Sequence, residues 1–162
     1  MYARSTTMFG NPHALHDAVA YMRDEVLPAL LAIPGCIGLS MLCERCSGRM
    51  IATSAWETQE AMRASAEPVH PLRTRLVQLL DGRPDVQEWE IAVLHREHVT
   101  VDGAATRVTW VRCPPDLLDR VLDGYRSHVM PRMNSRSCET VTIVPRNSSR
   151  ARSITSIDAK SR

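Results

Sequence analysis

The order of apolar and polar positions divides the chain into alternating strands and helices. Residues 3–9 read as a strand. Gly10-Asn11-Pro12 ends it, and Asn11 can cap a helix with Pro12 in its first turn. Leu15, Val19, Met22 and Val26 then recur at helical spacing, with Ala18 on the same face and Pro28 ending or kinking the run. Residues 36–44 and 49–56 read as a hairpin around Cys46-Ser47-Gly48. Glu57-Thr58 opens a helix carrying Ala61, Met62 and Ala66. Pro68 interrupts it, and the spacing resumes at Leu72, Leu76, Leu79 and Leu80. Gly82-Arg83-Pro84 stops the helix, and residues 86–94 form a fourth strand. The order βαββαβ is that of a ferredoxin-like unit, an α+β fold with one antiparallel sheet and both helices on one face.

A second pass follows. Residues 97–104 read as a linker, 106–113 as a strand, and the stretch from Pro114 to Pro131 as a helix. A strand over 138–144 and another around Ile154 and Ile157 complete it, with Asp158-Ala159-Lys160 expected to start a helix. At an offset of 103 residues, Arg4, Thr6, Pro12, Leu15, Arg23, Val26 and Pro28 meet Arg107, Thr109, Pro115, Leu118, Arg126, Val129 and Pro131. The expected organisation is therefore a complete unit over 1–96, a linker over 97–104, and an incomplete βαββ copy over 105–162.

Composition narrows the class. The chain has 162 residues, 44% hydrophobic and 23% charged, as expected of a globular rather than a disordered protein. With one Phe, three Trp and three Tyr, the core must be mostly aliphatic and Met. Residues 1–96 hold nine basic and eleven acidic side chains, and residues 97–162 hold eleven and seven. The basic tail has no interleaved aromatic and no reader motif, so no nucleic-acid partner is expected. The longest apolar stretch, 26–39, is broken by Pro28, Pro34, Gly35 and Gly38 and is too short to cross a bilayer. With no leader-like start, a cytoplasmic protein without a membrane partner is expected.

Five cysteines without a leader point to reduced thiols. Cys43-x₂-Cys46 supplies half a zinc site, with no second ligand pair at a suitable spacing. The pairs His13/His16 and His95/His98 each lack a third ligand. No metal centre is expected, and no phosphate loop, nucleophile elbow or zinc-protease motif is present.

The stretch "SAWETQEAMRAS" (54–65) after the third strand, within a tandem of ferredoxin-like units, resembles the antibiotic-biosynthesis-monooxygenase-like group of dimeric α+β barrels. Trp56, Glu57, Thr58 and Glu60-Ala61-Met62 stand where that family places an aromatic, an acid, a Ser/Thr and the start of a helix. "EWEIAVLH" (88–95) fits its fourth strand. The resemblance implies two sheets packed face to face, as a homodimer or as a tandem pair. It also implies a small pocket between each sheet and its helices. The family includes cofactor-independent quinol oxygenases and haem-degrading oxygenases. The haem-degrading pattern is poorly matched: residues 3–9 contain no Asn, and Ser65 stands where that branch has Trp.

The implied function is a cofactor-independent monooxygenase acting on a small apolar or aromatic molecule. The alternative is a non-catalytic binding or assembly protein of the same fold. Under the first, the pocket is expected near Trp56, Met62, Thr6 and Arg4, with His70 as the candidate base because imidazole titrates near neutrality. Under the second, Trp56 packs a helix on the sheet and His70 is a surface residue.

Overall fold

The computed structural model describes residues 1–95, 104–129, 140–145 and 152–161. Of the linker expected at 97–104, residues 97–103 lie outside the described residues, as do Pro131 and Cys138, while Ala104 already begins a strand. Two compact units are formed, Met1–Glu88 and Trp89–Arg162.

The strands of the first unit are β1 (Tyr2–Phe9), β2 (Cys36–Glu44), β3 (Arg49–Trp56) and residues 85–88 of β4 (Asp85–His95). Their order is β2-β3-β1-β4, the ferredoxin-like arrangement the pattern predicts. β3 runs antiparallel to both neighbours: Arg4 faces Ser54 from one side and Leu39 faces it from the other. The hairpin closes at Gly48, whose φ of 69° suits a residue without Cβ, and a Cβ there would come within 2.0 Å of the Gly10 carbonyl oxygen.

The first helical run has four parts and continues past the expected kink. Asn11 Oδ1 accepts from the His13 backbone N–H at 3.0 Å and starts a 3₁₀ turn, Pro12–Ala14. α1 (Leu15–Tyr21) follows, then a wide π turn, Met22–Val26, then α2 (Leu27–Leu31). Pro28 sits in the first turn of α2, where its missing N–H is tolerated, so it does not break the run.

The second run also breaks at an unexpected place. α3 (Gln59–Ala64) is capped by Thr58, whose hydroxyl accepts from the Ala61 N–H at 3.1 Å. The interruption falls at Ser65, and α4 (Ala66–Leu80) contains both Pro68 and Pro71. Pro68 is accommodated in the first turn of α4, so it does not interrupt as the sequence suggests. The core joins Met8, Met50 and Trp56 of the sheet to Ala18, Met62, Leu76 and Leu80 of the helices. It is aliphatic and Met-rich, as the composition requires.

In the second unit, residues 89–95 pair antiparallel with β6 (Thr140–Pro145), and β5 (Ala104–Arg112) pairs antiparallel with β7 (Arg152–Ser161). A 3₁₀ turn (Pro115–Leu117), α5 (Leu118–Gly124) and a π turn (Tyr125–Val129) lie between β5 and β6. The helix expected at Asp158-Ala159-Lys160 is not formed. These residues continue β7 and face Arg107, Thr106 and Ala105, so ladder pairing overrides local helix propensity. Among the described residues no helix is long and apolar enough to cross a membrane.

Candidate functional site

A cavity of about 50 Å³ lies in the first unit, between the helix-facing side of the sheet and the two helical runs. Two cross-strand rows form its floor: Arg4 beside Ser54 beside Leu39, and Thr6 beside Ala52. Positions 4 and 6 share one face because strand side chains alternate. Met22, Val26 and Leu30 of the first helical run and Val69, Leu72, Arg73 and Leu76 of α4 form its roof. The walls are thus largely aliphatic, with two guanidinium groups and two hydroxyls as the polar part.

Arg4 is 6% exposed and makes three side-chain hydrogen bonds. Its Nη1 donates to Ser65 Oγ at 3.0 Å, and its Nη2 donates to the Met62 carbonyl at 2.7 Å and to Glu88 Oε1 at 3.0 Å. Glu88 is 39% exposed, so this ion pair reaches the solvent edge. Ser65 Oγ also donates to the Met62 carbonyl at 2.7 Å. The buried serine at the break between α3 and α4 therefore anchors the arginine. Ser54 is engaged as well: its Oγ accepts from Trp56 Nε1 at 2.9 Å and donates to the Arg4 carbonyl at 3.4 Å.

Arg73 differs. It is half-buried and has no ion pair or hydrogen bond among the described residues. Burial, and then the nearby Arg4 charge, pull its guanidinium below the ordinary arginine value. The Thr6 hydroxyl likewise has no hydrogen-bond partner among the described residues.

Of the residues singled out from sequence, Arg4 and Thr6 line the cavity. Trp56 and Met62 do not; both are buried in the core, at 0% and 1% exposure. His70 is exposed on α4 and stands outside the cavity, next to the lining residue Val69. Cys43 and Cys46 are exposed free thiols at the hairpin ends, and burial pushes the Cys36 thiol up. Among the described residues, no three His, Cys, Asp or Glu side chains converge as a metal site would require.

Sequence reasoning missed Arg73 and Ser54. A signal for Arg73 was available. It lies four residues after Val69 and three before Leu76, which places a cation on the apolar face of the helix.

Comparison with known proteins defines the relatives. The chain is 45% identical over 161 residues to the uncharacterised protein Rv2557 of Mycobacterium tuberculosis, covering 98% of this chain and 72% of the relative. It belongs to the family of Rv2557. Rv2558 of the same organism is 50% identical over 135 residues, and there the match spans 83% of this chain and 57% of the relative. No protein-family profile matches the chain.

The fold of this Rv2557-family chain is that of the antibiotic-biosynthesis-monooxygenase group. A structure from Lactobacillus acidophilus with a provisional monooxygenase name superposes with a TM-score of 0.75 at 9% identity, over 98% of this chain and 77% of the other. An anthrone oxidase-like protein gives 0.65 at 12%, over 99% and 73%. At such identities the likeness concerns the fold.

Proposed function

We propose that this protein is a cofactor-independent oxygenase for a small, mostly apolar, electron-rich molecule. The observation that carries the reading is the cavity itself. An aliphatic chamber holds Arg4, Thr6 and Ser54 on its floor and Arg73 in its roof, in the place where the fold implies a pocket. In such a reaction dioxygen is the oxidant and the substrate supplies the electrons. A ring CH₂ becomes C=O, one oxygen atom enters the product, and the other leaves as water. The chain's task is to exclude bulk water with its aliphatic wall and to hold the oxyanion of the deprotonated substrate near guanidinium and hydroxyl donors. The homodimeric assembly and cytoplasmic location expected from the sequence belong to this reading.

The size of the cavity sets a condition. About 10–15 Å³ of such space holds one water, so about 50 Å³ receives a head group of a few heavy atoms but not a fused ring. A ring enters by displacing Val69 and Leu72 on the proline-containing first turns of α4.

An oxygen electrode tests the proposal with a panel of anthrones, which carry the ring CH₂ that the step requires. The expected outcome is protein-dependent uptake of one O₂ per ketone formed, without hydrogen peroxide, and reduced in Arg73→Gln. Uptake no faster than the protein-free blank across the panel would leave the non-catalytic binding reading in its place. His70→Ala separates the two roles considered for His70. Unchanged turnover is expected, because the ring is exposed outside the cavity.

A further inference from the structure

We propose that the cavity of the first unit selects an anionic ligand, a carboxylate on a short apolar body, through Arg73. This deepens the pocket reading above and rests on it. Three observations support it. Arg4 is already paired with Glu88, and three of its N–H donors go to Ser65, Met62 and Glu88. Arg73 lines the same cavity, half-buried, with no carboxylate partner among the described residues. The Thr6 hydroxyl lines it too, free to donate. The site therefore presents an unpaired fork of N–H donors and one hydroxyl, with aliphatic side chains closing the remaining walls. A guanidinium fork matches the two oxygens of a carboxylate.

Charge favours an anion over a neutral polar group. Two cations, Arg4 and Arg73, lie close together in a partly desolvated setting, and only one has a counter-charge. A bound anion relieves their repulsion as well as forming hydrogen bonds. A neutral amide or alcohol offers the hydrogen bonds alone. The volume agrees with a head group of three or so heavy atoms, with its apolar remainder directed toward Val69 and Leu72.

The probes are benzoate and its neutral isostere benzamide, titrated by calorimetry into the full chain. Benzoate is expected to bind about tenfold more tightly than benzamide, the factor that a charge-assisted hydrogen bond commonly gives. Arg73→Gln is expected to remove that preference by weakening benzoate and leaving benzamide unchanged. Arg83→Gln, an exposed cation elsewhere, is expected to preserve it. Equal binding of the two probes, or a preference that survives Arg73→Gln, would overturn the anion inference while leaving the pocket reading intact. Binding of neither probe would overturn both. Butyrate against butyramide repeats the comparison for a ligand small enough to need no displacement of α4.

Discussion

At the scale of single residues, the two arginines of the cavity illustrate opposite uses of one side chain. Arg4 is buried and its hydrogen bonds tie β1 to the α3–α4 break and to β4, so it is structural before it is chemical. Arg4→Gln is expected to lower the denaturant midpoint by the equivalent of about 2 kcal/mol, because it leaves Glu88 and Ser65 short of a partner. Arg73→Gln is expected to leave the midpoint unchanged or slightly raised, since it removes a like charge without breaking a bond. Chemical denaturation of both variants checks the contrast. Arg4 and Thr6 were legible in the sequence as polar residues on a strand that must be buried. Arg73 and Ser54 were not singled out. Helical phase would have reached Arg73. Ser54 needed the register between β1 and β3, which a single sequence does not state.

At the scale of elements, strand positions followed the pattern closely, because alternation and the Cys46-Ser47-Gly48 turn define both ends of the hairpin. β2 and β3 fall at the expected residues. Helix interruptions were less legible. Proline suggests a break, yet its effect depends on where the first turn falls, and capping decides that. Ser65 is tied down by Arg4, so the break comes there and Pro68 is accommodated. Pro71 remains inside α4, and its absent N–H leaves the Glu67 carbonyl without its helical donor. Pro71→Ala is expected to stabilise α4 by about 1 kcal/mol. It should also slow amide hydrogen exchange at Leu72 and Arg73, as hydrogen-exchange mass spectrometry would show. If displacement of this turn admits a ring, the same variant will slow binding of aromatic ligands more than of butyrate.

At the scale of the whole molecule, one helical design occurs twice. The 3₁₀ turn, α-helix and π turn at 12–14, 15–21 and 22–26 recur at 115–117, 118–124 and 125–129, each displaced by 103 residues. Global stability has a titrating contributor in the first copy. Tyr21 is buried and its hydroxyl donates to the Leu72 carbonyl at 3.2 Å, joining α1 to α4. Burial, then the nearby Glu25 charge, raise its pKa, while Arg75 opposes them. The folded protein thus keeps the phenol proton above the ordinary value of about 10, where the unfolded chain has lost it. Stability from this group is complete below that value and declines as pH rises through the folded one. Urea midpoints at pH 9 and pH 11 are expected to fall more steeply in wild type than in Tyr21→Phe.

The wide turn at 22–26 also explains a mismatch of rhythms. Ala18, Met22, Val26 and Leu30 are all buried and lie four apart. In an unbroken α-helix each such step advances about 40° around the axis. Leu30 would then have drifted by about a third of a revolution away from Ala18. The π turn takes up an extra residue and brings the two scales back into coincidence, like a vernier. Chain length in this segment is therefore as much a determinant of the core as side-chain identity. Losing one of Arg23, Asp24 or Glu25 would keep the backbone helical and every apolar side chain intact, yet turn Leu30 by about 100°, out of the layer it helps to close.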